Sequence, residues 1–317
     1  MSLASYILVR AFSALTTIAI GAFVIFLVLQ LAPGDPAITV LGENANPAAV
    51  AAFRREHGLD QAPLMQFGRF LSGAIAGDFG QSLTVGGGVP ITGLLLQRLP
   101  NTMFVGLYAM TIAMALSLVF GTIGAWRQGT AIDTAVTAGV VTLISMPDFW
   151  VGYMLVILLS LQLGLFPAFG FTTPSESLSG ALFSGFLPAL TVSAHMTGFF
   201  SRILRSSLLE TWRRNYVVAA RSFGFTGPFV YRHYVLRNAI IPLVVVMGLQ
   251  IRNLLGGMVI TEKIFGIPGL GSLMIDGVFA RDYPLVLVCA MTFLALVITV
   301  TFVVDVVCVL LDPRRTR

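Results

Sequence analysis

Long tracts with almost no charge alternate in this 317-residue chain with short intervals where arginine gathers. A bilayer span takes about 20 mostly apolar residues. Five tracts meet that length: Ala11 to Leu31, Pro100 to Trp126, Thr134 to Leu163, Ala239 to Thr261 and Pro284 to Leu311. A sixth candidate, Phe186 to Leu204, contains His195, Arg202 and several hydroxyls, so hydropathy alone does not decide it. Charge does: without this span the arginine-rich stretch from Arg205 to Arg237 would lie on the outer side, against the positive-inside rule. The pattern predicts an all-α integral membrane protein with six transmembrane helices.

With six spans and an inner N-terminus, Arg10, Arg127, Arg202, Arg205, Arg213, Arg214, Arg221, Arg232, Arg237, Arg314, Arg315 and Arg317 lie inside. Arg54, Arg55, Arg69, Arg98, Lys263 and Arg281 lie outside, four of them in one long loop whose charges weigh little. Both termini are therefore expected in the cytoplasm. The run from Arg10 to Leu31 exceeds the 7 to 15 apolar residues or so of a cleaved signal, and Leu31-Ala-Pro-Gly34 is a poor cleavage site, so the first span is expected to be retained.

The outer loop from Pro33 to Leu99 carries its own helix signals. Asn46-Pro47 opens one helix that Gly58 closes, and Pro63 opens another that Gly77 closes, a small extracytoplasmic domain of short helices. Between the fourth and fifth spans, Ser206 to Phe223 reads as one helix with Leu208, Leu209, Trp212, Tyr216, Ala219 and Ala220 on a common face. Gly224-Phe-Thr-Gly-Pro228 then forces a turn, and a second short helix runs from Pro228 into the fifth span. Such a hinged pair suits a groove on a cytoplasmic partner or a surface of anionic headgroups. Charge does not choose between them.

Composition agrees with the spans and narrows the chemistry. Charged residues are 10% of the chain, against roughly a quarter in soluble domains. The net charge of +5 comes from residues placed just beyond apolar tracts, so no nucleic-acid partner is expected. Cys289 and Cys308 share one apolar tract, nineteen residues apart. On a helix that is roughly 28 Å, too far to bridge. The only lysine, Lys263, lies in no phosphate-binding loop, which excludes an ATPase of that type. His57, His195 and His233 are scattered, and neither a metal site nor a nucleophile with a base is expected.

Ionisable groups inside spans face a cavity or a partner by default. Asp148, after a Met146-Pro147 kink, and Arg252 sit mid-span, placed either to meet opposite ends of a zwitterionic cargo or to pair and fix helix packing. His195 either lines a path or packs between helices. Arg202 and Asp305 read as snorkelling or interface charges. The Gly-rich stretch Glu262 to Gly271 reads as a re-entrant turn or a plain connection.

Asn215-Tyr-Val-Val-Ala-Ala-Arg-Ser-Phe-Gly224 and Arg237-Asn-Ala-Ile-Ile-Pro242 resemble the EAA loop of bacterial ABC importer permeases, in the dipeptide and oligopeptide branch. Val218 replaces the glutamate of the general motif, and Leu236-Arg237 its Leu-Pro. Further landmarks follow in order: Leu41-Gly-Glu-Asn-Ala, Gly58-Leu-Asp-Gln, Gly77-Asp-Phe-Gly-Gln-Ser-Leu83, Arg98-Leu-Pro-Asn-Thr102, Leu187-Pro-Ala-Leu-Thr191, Arg205-Ser-Ser-Leu-Leu-Glu210, Phe265-Gly-Ile-Pro-Gly-Leu-Gly271 and Arg281-Asp-Tyr-Pro284.

The resemblance implies a type I importer permease fold. Its parts would be a first helix at 1–32, an extracytoplasmic loop domain at 33–99 and a permease core at 100–317 with a coupling segment at about 206–237. It implies that Tyr216, Ala219, Ala220, Arg221 and Gly224 couple the spans to an ATP-binding subunit, and that Phe265, Gly266, Pro268 and Gly269 lie near the outer gate or a binding-protein contact. The implied assembly is a bacterial inner-membrane heterodimer with a second permease, two ATP-binding subunits that hold ATP and Mg, and an external solute-binding protein. This chain itself would hold no cofactor and catalyse nothing. The implied cargo is a small peptide, with glutathione or a nickel chelate as alternatives. A stand-alone secondary transporter or channel using Asp148 and Arg252 is the rival from another class.

Overall fold

The computed structural model describes residues 3–31, 35–42 and 44–311, with side chains described from residue 5 to residue 306. The described residues are helical, with one isolated bridge among them, between Gln81 and Pro90. In order, the helices are α1 (Leu3–Gln30), α2 (Pro36–Leu41), α3 (Pro47–Glu56), α4 (Pro63–Ile75), α5 (Ile91–Trp126), α6 (Ala131–Ser145) and α7 (Asp148–Leu155), the last continuing as a π-helix over Val156–Gln162. Then come α8 (Leu178–Ser184), α9 (Phe186–Trp212), α10 (Asn215–Ser222) and α11 (Gly227–Val230), which passes through a π-helix over Tyr231–Leu236 into α12 (Arg237–Phe265). Helices α13 (Leu270–Phe279) and α14 (Tyr283–Leu311) complete the fold.

Among the described residues four helical stretches are long and apolar enough to cross a membrane, and six spans result when α6 with α7 and α8 with α9 each count as one. The tract Thr134 to Leu163 is not one kinked helix as the sequence suggested. It breaks at Met146-Pro147 into two helices turned by 109°. The residue before a proline is pushed out of the helical region, and Met146 accordingly takes φ −84°, ψ 135°. Asp148 thus opens α7 instead of sitting mid-helix.

One compact unit contains α1 to α4, the first turns of α5, α13 and α14; the other contains the rest of α5 and α6 to α12. In the first unit α1 lies along α14. Gly21 admits Leu294, whose Cδ2 would stand 2.5 Å from an added Cβ, and Arg10 pairs with Asp305. That pairing gives Asp305 a partner inside the chain, where the sequence suggested a snorkelling or interface charge. A core of Ile91, Leu95, Leu270, Leu273, Leu285, Val288 and Cys289 joins α5, α13 and α14. The cysteine pair expected from the sequence is half visible: Cys289 is a buried free thiol, and the Cys308 side chain lies outside the described residues.

The segment between α1 and α5 starts its helices as the cap signals dictate. Asn46 Oδ1 accepts from the Ala48 amide at 2.9 Å, and Asp35 does the same for Ala37 at 2.9 Å, each followed by a first-turn proline. Helix α2, opened by Asp35-Pro36, was not anticipated although its signature matches that of α3. Arg54 on α3 pairs with Asp35. Burial works to raise the Asp35 carboxyl, but Arg54 and the Ala37 amide outweigh it and hold it below the usual carboxylate range. Gly58 and Gly77 close α3 and α4 at φ 66° and 79°, where a side chain would be strained.

One buried carboxylate anchors the rest of that segment. Asp282 Oδ2 accepts from Ser82 Oγ at 2.6 Å, the Thr84 amide at 2.9 Å and the Val85 amide at 3.2 Å, while Oδ1 accepts from the Leu285 amide at 3.2 Å at the start of α14. The landmarks around Ser82 and Asp282 therefore meet in space. So do two others: Asn101 donates to the Pro268 carbonyl at 2.8 Å, and Thr102 Oγ1 accepts from the Leu270 amide at 2.8 Å.

In the second unit α9 is enclosed by α12, α6 and α7. Its glycines and those facing it set the spacing: an added Cβ at Gly198 would stand 2.8 Å from the Val140 carbonyl oxygen of α6. Buried Asp133 on α6 receives both Nε and Nη2 of Arg205 at 2.8 and 2.7 Å, a forked pair. Gly124 leaves room for the Arg205 stem, with an added Cβ 3.0 Å from its Cδ.

Candidate functional site

The segment between α9 and α12 keeps the predicted hinge but not the predicted single helix. The helix expected over Ser206 to Phe223 breaks at Arg213-Arg214, where Arg214 turns extended at φ −71°, ψ 142° and α10 begins. Arg214 remains tied to the last turn of α9 through Glu210. The break rotates the buried face. Val217 and Ala220 are buried, whereas Tyr216 and Ala219, read with Ala220 on one common face, are exposed with Val218 and Arg221.

Gly224 ends α10 at φ 81° with nothing within 4 Å of where a Cβ would stand. Its constraint is therefore conformational: a left-handed residue lets the chain reverse between α10 and α11. The Gly224 amide donates to the Arg221 carbonyl at 3.0 Å. Beyond it, α11 and the following π-helix are latched by Tyr231, whose hydroxyl lies 2.7 Å from Thr122 Oγ1 and whose ring meets Trp126 edge-on at 5.0 Å. Trp212, from the end of α9, approaches the same ring at 6.2 Å.

Around this turn the chain exposes an apolar rim. Phe223 is 82% exposed, and Val218, Tyr216, Phe225 and Phe229 are also exposed. Phe225 stacks on Phe229 at 5.1 Å, and Phe229 on His233 at 4.2 Å. Sequence reasoning missed this rim; the clustering of Phe223, Phe225 and Phe229 inside an arginine-rich interval was its signal. Behind the rim, a cleft of about 520 Å³ is bounded by Ser207, Thr211, Asn215, Tyr216, Asn238 and Pro242. The latched hinge thus carries an exposed aromatic rim, the kind of uncovered apolar surface that marks interaction sites.

Of the charged span residues, the fold brings Asp148 and His195 within electrostatic reach. Asp148 lies against α12, with Oδ2 2.6 Å from where a Cβ on Gly257 would stand. Arg252 forms no ion pair with Asp148. Five residues separate it from Gly257, about 140° around a helix of 3.6 residues per turn, so it points to another face. There it is exposed beside Asn253 and Gly256. Arg202 stands over the Phe199 ring at 5.8 Å.

The Glu262 to Gly271 stretch holds the end of α12, a turn over residues 266–269 and the start of α13. Gly266 caps α12 at φ 65°, and the buried Phe265 carbonyl accepts from the Gly170 amide at 2.9 Å. Pro268 and Gly269 lead into α13, an apolar helix that the sequence reading did not foresee.

Six spans, two of them bent, and a hinged segment with an exposed apolar rim between the fourth and fifth define a polytopic membrane subunit of the ABC importer permease class. Residues 117–317 match the family described as binding-protein-dependent transport system inner membrane component, and residues 3–104 match its N-terminal companion. The chain belongs to this family and is a multi-pass inner-membrane protein. It is 33% identical to a probable peptide ABC transporter permease of Sinorhizobium fredii, covering 98% of each chain. It is 31% identical to the oligopeptide transport system permease AppB of Bacillus subtilis, covering 98% of this chain and 99% of that one. The crystal structure of an amino acid ABC transporter superposes with a TM-score of 0.53 at 16% identity, covering 68% of this chain and 94% of the other. At that identity the likeness concerns the fold.

Proposed function

We propose that this subunit forms half of the translocation pathway for small peptides, pairing with a second permease, two ATP-binding subunits and an external solute-binding protein. The observation that carries the reading is the turn at Gly224, with Val217 and Ala220 buried beneath it and Tyr216, Val218, Phe223 and Phe225 exposed around it. In this reading α10 and α11 face the cytoplasm together with both termini. The exposed rim enters a cleft of an ATP-binding subunit, ATP and Mg are held there, and hydrolysis occurs there. Closure of that subunit moves α10, and the Tyr231 latch and the Arg205–Asp133 fork pass the movement to α5, α6 and α9. The peptide assignment follows the peptide and oligopeptide names of the relatives.

The test is Gly224→Val. A β-branched residue held left-handed costs about 1–2 kcal/mol, a factor of about 5–30 in the population of the native turn. With no neighbour to clash, the assembly should be recovered intact. In proteoliposomes containing the complete transporter, peptide uptake should fall by about that factor while ATP hydrolysis continues. Uptake and hydrolysis coupled as in the parent would overturn the role of the turn.

A further inference from the structure

The first unit contains a cleft of about 710 Å³, apart from the hinged segment described above. Its floor is apolar, built from Phe26 and Leu29 at the end of α1 and Leu287 in the first turns of α14. These are the places where two spans leave the bilayer, so the cleft sits where acyl chains meet headgroups. On the opposite side of the same turn α1 leaves Leu27 and Val28 exposed.

Its rim carries both signs of charge, Arg69 and Asp78. Arg54 is already occupied by Asp35, but Arg69 makes no ion pair or side-chain hydrogen bond with the described residues. It lies over Gly58, whose bare Cα leaves the guanidinium its place: an added Cβ would collide with Nη1. Among the described residues Asp78 accepts only the Gly80 amide, at 2.9 Å, which leaves an oxygen for another donor. An unspent fork suits a phosphate, a nearby carboxylate suits an ammonium, and the floor suits an acyl chain.

We propose that this cleft holds one zwitterionic phospholipid, with its phosphate on Arg69, its ammonium towards Asp78 and an acyl chain over Phe26 and Leu29. A peptide offers the same two charges, but an apolar floor built at the ends of two spans favours the lipid.

Native mass spectrometry of the full chain in detergent, titrated with phosphatidylethanolamine, tests this. One saturable adduct is expected per chain, weakened about tenfold by Arg69→Gln through loss of a charge-assisted bond. Asp78→Asn should remove the preference for phosphatidylethanolamine over phosphatidylglycerol. Should the glutamine variant not be recovered, Arg69→Lys keeps the charge but loses the fork, and an intermediate weakening is expected. No adduct, an adduct indifferent to Arg69, or displacement of the lipid by a dipeptide would each overturn the proposal, the last by making the cleft a cargo site.

Discussion

Helices α1 and α9 both cross the membrane, and they are built on opposite plans. Helix α1 exposes Leu8, Val9, Phe12, Leu15, Ile20 and Val24 and packs mainly along α14. Helix α9 buries Thr191, Ser193, Thr197 and Ser201 and is surrounded by protein. A helix that meets lipid must be apolar on that side, whereas one that meets only other helices can carry hydroxyls satisfied by its own backbone. Thr191 donates to the Leu187 carbonyl at 2.8 Å and Ser201 to Thr197 at 2.6 Å. Hydropathy therefore measures contact with lipid more than membership of the membrane.

The contrast is sharpest in the ion pairs. Asp133→Asn leaves Arg205 partly buried without its carboxylate. Removing one partner of a buried pair costs about 3–5 kcal/mol, and partial exposure of Arg205 should bring this to about 2–3. The pair joining α1 to α14 is more exposed, and Arg10→Gln should cost about 1 kcal/mol or less. Unfolding titrations from mild detergent into a denaturing one would measure both, and equal costs would break the contrast.

Packing gives the next effect. At Gly198 an added methyl meets the Val140 carbonyl oxygen, which moves only with α6, so Gly198→Ala should cost about 1–3 kcal/mol. At Gly21 the obstacle is the end of the Leu294 side chain, which can rotate away, and Gly21→Ala should cost less than about 1 kcal/mol. The same titration orders the two, and a reversed order would mean that α1 is the tighter contact.

The last effect has the opposite sign. Thr197 Oγ1 on α9 is buried without a hydrogen-bond partner. Thr197→Val keeps the shape and removes the orphaned group, and should raise stability by about 1 kcal/mol. A loss of that size would show that the hydroxyl is satisfied in the assembled transporter.

The same contrast explains what the sequence disclosed. The spans α1, α5 and α14 were legible because each carries an uninterrupted lipid-facing surface. Span α9 needed the charge argument, and Pro147 revealed a bend but not its size, because the angle is set by packing of α7 on α9 and α12. At the candidate site Gly224 was readable from its flanking Phe-Gly-Phe-Thr-Gly, since local backbone chemistry fixes it. The break at Arg213-Arg214 was hidden because Leu208, Trp212 and Tyr216 keep helical spacing across it. Ser82, Thr84 and Asp282 showed nothing of their meeting, as no local pattern links residues so far apart.

That meeting has a consequence for how the protein is made. The carboxylate that gathers Ser82, Thr84 and Val85 lies 200 residues downstream of the serine. At about 5–20 residues per second, synthesis reaches it some 10 to 40 s later. Until α14 enters the membrane, the early loop waits without its acceptor. The last span therefore acts as the closing step of assembly, and a chain truncated before Asp282 would insert its first helices yet never finish the surface they present.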